Sequence, residues 1–445
     1  MSQQQPTIVI DGFNLALEKG TGVATYGRNL SFVCREMGSR VDLLYGKPIR
    51  QAASPLVTDI RFSDARPPAG RFASLRSSLA ASLPTPFGLN SFQVPLTGDV
   101  ILRGQEGHAP KADAIWNATN LFNRAAAHFW LTGTFTNVRH KGPADIAHWT
   151  YPLPVRIPGA RNIYTIHDLV PLRLPYTTLD DKPYYLRLLR KIVQTADHIV
   201  TVSETSRRDI IRLLDCPEDK VTNTYQSVAI PRNLLDKPEE QVASEIEGAL
   251  GVTYKGYLLF YGAIEPKKNV GRLIEAYLTS GVDIPLVLIG PLAWQWEQEL
   301  RLLESTRRSS ISAGGPAGRI RHFDYAPFSL LVSAIRGARA TVFPSLYEGF
   351  GLPVLESMIL GTPVVTSREG ATAEIAGDAA LLIDPYDVRD IAEALRAMST
   401  SSPDILARAA LGLRRGEIFS SPRHANALHK LHQLLERAPA KTQRG

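Results

Sequence analysis

The sequence contains little cysteine. Only Cys34 and Cys216 occur in 445 residues, far apart and without the spacing of metal ligands. A disulfide framework is therefore excluded, and a reducing compartment with two buried thiols is favoured. No apolar run approaches the ~18 residues of a membrane-spanning helix, and the N-terminal residues lack the pattern of a signal peptide. These absences predict a cytoplasmic protein.

Several motifs of nucleotide and metal chemistry are also missing. We find no G-x-x-x-x-G-K-[ST], no G-x-S-x-G and no H-E-x-x-H. Gly20-Thr21-Gly22 is only a fragment of the dinucleotide fingerprint, and no acidic residue follows it at a clear ribose-binding position. This argues against a dehydrogenase. Because no Asp-x-Asp pair offers carboxylates to Mg²⁺ on a diphosphate, we expect no metal.

The net charge of +7 indicates an anionic partner. A nucleic acid is disfavoured, because zinc-finger spacings, RNP-type motifs and Lys/Arg tracts are absent. Basic residues recur instead on two predicted helices, at Arg187, Arg190, Lys191, Arg207, Arg208 and Arg212. These runs are interpreted as solvated helix faces or, alternatively, as a surface that meets anionic lipid at the inner face of the cytoplasmic membrane.

Strand and helix patterns alternate along the chain, which predicts parallel sheets built from βαβ units. At about 150 residues per domain the length suggests two or three domains. We predict an α/β protein with two Rossmann-like, doubly wound domains that face each other across a cleft. The first domain spans residues 1–235 and the second 236–420. Residues 421–445 form a helix that packs back on the first domain, followed by a tail.

Two regions fit this rhythm less well. Residues from about 50 to 140 are rich in Pro, Ser and Ala and are interpreted as a long insertion, with a helical stretch from Trp116 to Trp130. The polar segment from about 231 to 255 has no strand pattern and is interpreted as a linker. Ligands of doubly wound sheets bind outside the carboxyl ends of the strands, so the residues just after strands are the candidates for a site.

The first candidate loop follows the strand Tyr257–Tyr261 and contains Lys267, Lys268 and Asn269. Asn269 is predicted to cap the next helix. Two lysines at a helix N-terminus oppose its dipole by about 0.3–1 kcal/mol each, an arrangement that suits a phosphate-binding site. The alternative is that both lysines point into water.

The second candidate loop runs from Phe343 to Glu356 and holds Glu348 in the loop and Glu356 one turn inside the helix that Pro353 begins. Glycines 349 and 351 let the backbone approach a ligand. Carboxylates repel phosphate and suit sugar hydroxyls, so both glutamates are predicted to contact the sugar ends of a nucleotide sugar. The alternative is a tight turn with one exposed and one capping glutamate.

Histidines follow two strands of the first domain. His167 and Asp168 come directly after the strand Asn162–Ile166, which places them at the cleft, and His148 follows the preceding strand with a weaker claim. A single histidine is more often structural than catalytic, so both interpretations remain open.

Together these segments resemble the retaining glycosyltransferase family 4, whose members have the two-domain GT-B fold. The resemblance runs along most of the chain and rests on TGVATYGRNL, TIHDLVPLRLP, VTVSETSRRDI, FYGAIEPKKNVGRLIEAY and VFPSLYEGFGLPVLESMILGTPVVTS. The spacing from Glu348 to Glu356 is the E-x7-E motif of the family, and the stretch from Phe343 to Thr366 is the most specific. Ala24 replaces a glycine of the family pattern, and residues 50–140 lie outside the resemblance.

The resemblance implies a role for each matching residue. Lys268 matches the lysine that binds the donor diphosphate, Glu348 the carboxylate on the donor sugar, and Glu356 the one on the ribose. Lys267 and Ala263 stand where other members have arginine, which weakens the expected phosphate clamp because lysine is only a point charge. The remaining matched positions are His167 near the transferred sugar, Gly22 against the diphosphate, Phe350, Gly351 and Leu352 in the loop whose backbone faces the donor, and Glu374 in a further donor-side loop.

The implied activity is transfer of a hexose with retention of configuration, without a metal or other cofactor and without a protein nucleophile. The motifs look most like those of bacterial mannosyltransferases of surface-polysaccharide, lipopolysaccharide and O-antigen synthesis. This favours GDP-mannose, or another nucleoside-diphosphate hexose, as the donor and a glycan or lipid-linked acceptor. The alternatives are an epimerase or sucrose-synthase-like enzyme on the same fold, and a protein that binds a nucleotide sugar without catalysis.

Overall fold

A computed structural model describes residues 5–15, 22–64, 87–97, 110–309, 319–400 and 402–437. Gly20 and Thr21 of the first loop lie outside these ranges, as does the tail after residue 437. Two parallel sheets dominate the described residues, so the predicted α/β class with two doubly wound, Rossmann-like domains is confirmed.

The first domain contains an eight-stranded sheet in the order β11-β10-β9-β7-β1-β2-β5-β4. In chain order its strands are β1 (Thr7–Asp11), β2 (Arg40–Tyr45), β4 (Phe92–Val94), β5 (Ala114–Asn117), β7 (Ile146–Trp149), β9 (Arg161–Thr165), β10 (His198–Thr201) and β11 (Val221–Asn223). Only β4 runs antiparallel, against β5. A small parallel sheet beside it consists of β3 (Leu89–Asn90), β6 (Thr136–Arg139) and β8 (Val155–Arg156).

Helices connect these strands and continue toward the second domain. They are α1 (Gly22–Glu36), α2 (Pro55–Asp64), α3 (Leu121–Thr132), α4 (Val170–Arg173), α5 (Lys182–Thr195), α6 (Glu204–Leu214), α7 (Arg232–Leu235) and α8 (Glu239–Leu250). Crossovers of this kind join parallel strands, so all the carboxyl ends of the parallel strands lie at one edge of the sheet.

The second domain contains a six-stranded, fully parallel sheet in the order β14-β13-β12-β15-β16-β17. Its strands are β12 (Leu258–Tyr261), β13 (Leu286–Ile289), β14 (Ile320–Phe323), β15 (Ala340–Phe343), β16 (Val364–Ser367) and β17 (Leu381–Ile383). Its helices are α9 (Val270–Ser280), α10 (Trp296–Ser309), α11 (Phe328–Gly337), α12 (Leu352–Ile359), α13 (Gly370–Ala376), α14 (Val388–Ser399) and α15 (Pro403–Gly416). The central strands β12 and β15 are buried throughout, as expected where helices cover both faces.

The last helix, α16 (Ser421–Arg437), leaves the second domain and packs against α1 of the first. His424 contributes to this contact, because its ring lies 6.4 Å from that of Tyr26 and its Nδ1 lies 3.5 Å from the hydroxyl of Ser227. No helix among the described residues is both long and apolar enough to cross a bilayer.

Two local predictions are wrong. Trp116 belongs to β5 and not to a helix that reaches Trp130, because its strand pairs with β2 and its indole Nε1–H donates to Asp42 at 2.9 Å. The described part of residues 50–140 thus supplies strands of the main sheet. The supposed linker contains α8, which buries Val242, Ile246 and Leu250 against α11.

Candidate functional site

The carboxyl ends of both sheets meet at one cleft. A Cβ on Gly349, in the loop after β15, would lie 2.6 Å from the carbonyl oxygen of His167 and 3.0 Å from Cβ of Asp168, after β9. The Gly349 carbonyl accepts hydrogen bonds from the hydroxyls of Ser203 at 2.7 Å and Ser206 at 3.2 Å. Because a side chain at this position would collide with backbone, the glycine lets the two domains touch here.

A second contact across the cleft joins the starts of two helices. A Cβ on Gly22, at the start of α1, would lie 3.2 Å from Cδ1 of Leu352, at the start of α12. Gly351 has φ +109°, a left-handed conformation that favours glycine. Phe350 is buried, with its ring 5.7 Å from that of Phe419 in an edge-on contact. The Phe350 side chain is thus used in packing, while the ligand contact of its backbone stays a prediction.

Lys268 and Glu348 form an ion pair within the second domain. The Lys268 ammonium lies 2.5 Å from Oε1 of Glu348, and the two side chains are 15% and 13% exposed. Burial alone would raise the pKa of Glu348, but the nearby charges of Lys268 and Lys267 outweigh it and lower that pKa. Glu348 is therefore ionised at neutral pH, and the two candidate loops are joined by opposite charges.

Lys267 also has carboxylate partners. Its ammonium lies 3.3 Å from Oε1 of Glu265. Burial would lower the pKa of Lys267, but Glu348, Glu265 and Asp168 of the first domain outweigh it and raise that pKa. Neither lysine simply points into water. A diphosphate that entered this site would meet two ammonium groups and would have to share them with their carboxylate partners or displace those partners.

Glu356 projects from the first turns of α12 beside Tyr261, the last residue of β12. The glutamate is half-buried, and burial raises its pKa to about 7 against an opposing hydrogen bond with the Tyr261 hydroxyl. The Tyr261 hydroxyl also lies 2.8 Å from the carbonyl oxygen of Pro353, which places the ring next to the first turn of the helix. Glu356 is therefore poised to change charge near neutral pH.

His167 lies in the cleft and His148 does not. Nε2 of His167 lies 2.8 Å from the carbonyl oxygen of Thr150, which can only accept, so Nε2 carries the proton and Nδ1 holds the lone pair. Burial lowers the pKa of His167, with Thr150 and Asp168 opposing. His148 is fully buried, lies 2.9 Å from Oγ1 of Thr165 and has its pKa lowered by burial to about 3. It is a core residue.

The side chain of Glu374 joins the two domains. Its carboxylate accepts hydrogen bonds from the backbone N–H of Glu204 at 2.7 Å and from the N–H and hydroxyl of Thr205, both at 2.8 Å. These donors form the N-terminus of α6, where a negative charge is favourable. In this arrangement Glu374 binds the first domain, while its donor-side role stays a prediction.

Asn269 differs from its sequence prediction. It takes φ +61° and makes no side-chain cap on α9. Its amide donates instead to the carbonyl oxygens of Pro344 at 3.0 Å and Pro385 at 2.6 Å, while its Oδ1 accepts from Arg272 at 2.8 Å. The residue therefore ties the lysine loop to the glutamate loop rather than capping a helix.

Sequence reasoning missed Asp11, which organises the first-domain side of the cleft. This fully buried carboxylate accepts the backbone N–H of Phe13 at 3.1 Å and the backbone N–H of Thr150. Burial raises the pKa of Asp11 to about 6, with those hydrogen bonds opposing. Thr150 in turn accepts the hydrogen bond from His167. Asp11 therefore links the chain after β1 to the chain after β7, and through Thr150 to the chain after β9. An acidic residue that ends an otherwise apolar strand was the available signal.

Comparison with known proteins identifies two regions of the chain. A profile described as "Glycosyl transferases group 1" matches residues 245–410, and one described as "Glycosyltransferase Family 4" matches residues 99–228. The Escherichia coli O-antigen chain mannosyltransferase B is 32% identical over 297 residues, which cover 65% of this chain and 73% of that protein. The serotype-specific mannosyltransferase WbdA of the same organism is 27% identical over 56% of this chain, but over only 29% of its own length.

Solved structures with the same architecture cover nearly the whole chain. Sucrose-phosphate synthase from Thermosynechococcus elongatus aligns with a TM-score of 0.65 and 16% identity over 97% of this chain and 99% of that chain. Anabaena HepE, solved with UDP and glucose, aligns at 0.59 and 13% over 97% of this chain and 100% of that chain. At these identities the matches show the fold alone. Together with the profiles and the mannosyltransferase relative, they show that this chain belongs to glycosyltransferase family 4 and has the GT-B fold.

Proposed function

We propose that the protein transfers a hexose, with mannose favoured, from a nucleoside-diphosphate sugar to an oligosaccharide or lipid-linked acceptor with retention of configuration. The observation that carries the proposal is the cluster of Lys267, Lys268 and Glu348 where the two domains meet. The mannosyltransferase relatives favour mannose and a role in surface-polysaccharide synthesis, and the UDP complexes of HepE support a nucleotide-sugar donor.

Each residue has a defined task in this proposal. Lys267 and Lys268 bind the diphosphate and offset the charge that grows on it as the glycosidic bond breaks, so no metal is required. Glu348 accepts hydrogen bonds from hydroxyls of the transferred sugar, and Glu356 accepts them from the ribose. The lone pair on Nδ1 of His167 accepts from a hydroxyl near the reacting carbon. The acceptor hydroxyl attacks from the leaving-group side, and the departing phosphate takes its proton.

The first test is a thermal-unfolding screen against GDP, UDP, ADP and dTDP, with and without EDTA. A ligand at 100 times its Kd stabilises by about 2.7 kcal/mol, which shifts the midpoint visibly. We expect GDP to stabilise the protein in EDTA, and the Lys268→Ala variant to lose that response while the exposed-lysine variant Lys111→Ala keeps it. No response to any nucleotide would overturn the proposed donor site.

The second test separates catalysis from binding alone. Incubation with GDP-mannose and mannotriose should give a product whose new linkage is α by NMR, the configuration of the donor. An inverted linkage would overturn retention. Binding of GDP without turnover of GDP-mannose, with or without mannotriose, would favour a protein that binds a nucleotide sugar without catalysis.

We further propose that the first domain makes a peripheral contact with anionic membrane. Trp130 and Leu131 at the end of α3 are 62% and 51% exposed, and exposed Arg187 on α5 donates to the carbonyl oxygen of Trp130 at 3.1 Å. An exposed indole beside basic residues suits a lipid interface. Phosphatidylglycerol vesicles should retain the protein and should retain Trp130→Ser less, with Tyr325→Ser of the second domain as the matched control. Equal retention of both variants would contradict the contact.

A further inference from the structure

Two aromatic side chains stack at the carboxyl ends of neighbouring strands of the first domain. Phe13 follows β1 and Tyr151 follows β7, and these strands pair directly. The ring centroids are 5.9 Å apart with an interplanar angle of 26°, and Phe122 supports Phe13 edge-on at 5.1 Å. Phe13 is 36% exposed and Tyr151 is half-buried, so the pair presents apolar surface at the edge that forms the cleft.

A carboxylate lies next to the segment that carries Tyr151, because Asp168 follows His167, whose Nε2 lies 2.8 Å from the carbonyl oxygen of Thr150, the residue before Tyr151. Burial raises the pKa of Tyr151 to about 12, Asp180 and Asp168 add to the rise, and Lys267 opposes it. Because Lys267 belongs to the second domain, Tyr151 lies within electrostatic reach of the lysine assigned to the diphosphate. Asp180 is exposed, and Asp168 accepts the backbone N–H of Val170 at 3.0 Å through only one of its oxygens. Both carboxylates retain acceptor capacity for a ligand.

The aromatic pair is held in place before any ligand arrives. The Asp11 carboxylate accepts the N–H of Phe13 and that of Thr150, the neighbour of Tyr151. Gly12 adds a second restraint, because its backbone N–H donates to the carbonyl oxygen of Leu44 at 2.8 Å. The backbone at Phe13 and next to Tyr151 is therefore held by hydrogen bonds, and binding on the two rings would cost little conformational entropy.

We propose that Phe13 and Tyr151 bind the terminal sugar ring of the acceptor, while Asp168 and Asp180 accept hydrogen bonds from its hydroxyls. This inference rests on the proposed function and adds the acceptor side to it. A pyranose has an apolar face that packs on an aromatic ring and hydroxyls that donate to carboxylates, which matches both parts of the site. Two carboxylates would repel a phosphate group at this position, so the recognised group is the neutral sugar.

The test uses GDP-mannose as donor and mannotriose as acceptor probe, with the variants Phe13→Ala, Phe13→Leu and Tyr151→Leu. We expect the KM for mannotriose to rise about tenfold or more in each variant, with a smaller change in kcat. Stabilisation by GDP should stay as in the unaltered protein. The Phe87→Ala variant, which removes an aromatic side chain that is 79% exposed in the same domain, should leave the KM unchanged. Phe13→Leu retains an apolar side chain in case Phe13→Ala fails to fold.

The outcomes separate this inference from the proposed function. If GDP does not stabilise the unaltered protein, the result would count against the donor site and hence against the proposed function. Normal GDP binding and hydrolysis of GDP-mannose, with neither binding nor glycosylation of mannotriose, would overturn the acceptor site alone. An unchanged KM for mannotriose in both Phe13→Leu and Tyr151→Leu would also overturn it.

Discussion

The ammonium of Lys268 lies 2.5 Å from a carboxylate oxygen of Glu348, and this pair joins the loops that follow β12 and β15. Both side chains are largely buried, so each charge depends on the other. The pair therefore has a structural role before any donor binds, besides the catalytic roles proposed for its members.

Removal of one partner should affect both activity and stability. We expect Lys268→Ala to lower kcat at least about 100-fold, as losses of transition-state charge stabilisation do. It should also lower the free energy of unfolding by about 3 kcal/mol, because Glu348 remains buried with a weaker partner. The double variant Lys268→Ala/Glu348→Gln should recover stability but not activity. Urea unfolding and steady-state kinetics measure the two effects, and full activity of Lys268→Ala would contradict the assignment.

Nucleotide affinity should depend on the charge of Glu356. Ribose hydroxyls donate to an ionised carboxylate, and the pKa of this group is raised to about 7. GDP should therefore bind most tightly above pH 7 and more weakly, by up to about tenfold per pH unit, as the pH falls below 7. In the Glu356→Gln variant, the affinity for GDP should keep only the pH dependence that comes from titration of the nucleotide itself. Calorimetric titrations with GDP at several pH values on either side of pH 7 compare the affinities of the two proteins. Parallel profiles would argue against the ribose contact.

Glu374 should hold the two domains together. Replacement by alanine removes the acceptor of three hydrogen bonds at the N-terminus of α6 and should cost about 1 kcal/mol of stability, as the loss of a helix cap does. The radius of gyration measured by X-ray scattering should increase as the cleft opens. Glu369→Ala removes an exposed carboxylate of the same region and should leave the radius unchanged. A Glu374→Ala protein as compact as the unaltered one would contradict this role.

Asp11 should make stability depend on pH. Its folded pKa is about 6 and its ordinary value is 3.8, so its stabilising contribution is complete below pH 4 and is lost as the pH rises through 6. Relative to Asp11→Asn, the unaltered protein should lose about 3 kcal/mol of unfolding free energy between pH 4 and pH 7. Urea unfolding of both proteins at several pH values measures the difference. A difference that is independent of pH would show that Asp11 does not titrate in this range.

The sequence predicted the fold well where local patterns suffice. Apolar strands followed by polar loops marked β1, β12 and β15, and the spacing from Glu348 to Glu356 identified the second candidate loop. The local pattern gave the wrong secondary structure at Trp116. This residue pairs in a sheet with Leu44, and no local pattern encodes the proximity of the two residues. Burial of α8 through Val242 and Ile246 was hidden by its many polar neighbours.

Candidate site residues could be named one by one from the sequence, and their roles stay predictions, but the contacts that join them could not be predicted. Motifs singled out Lys268, Glu348 and His167 as candidates, yet motifs carry no information on which groups meet across the cleft. The contact of Glu374 with α6, and the bonds from Asp11 to two loops, depend on how distant segments pack. Such partners become visible only when the two sheets are placed in space.

The last helix has a mechanical consequence. The chain passes between the domains twice, once after β11 and once before α16, and the two passages lie side by side. Tyr225 and Phe419 meet edge-on at 5.2 Å, and the hydroxyls of Ser227 and Ser421 are 3.4 Å apart. Because two neighbouring segments join the domains, we expect the cleft to open by rotation about an axis near these segments rather than by sliding of one domain along the other. Since Phe350 contacts Phe419 close to these segments, such a rotation would widen the cleft most at the rim farthest from Phe350.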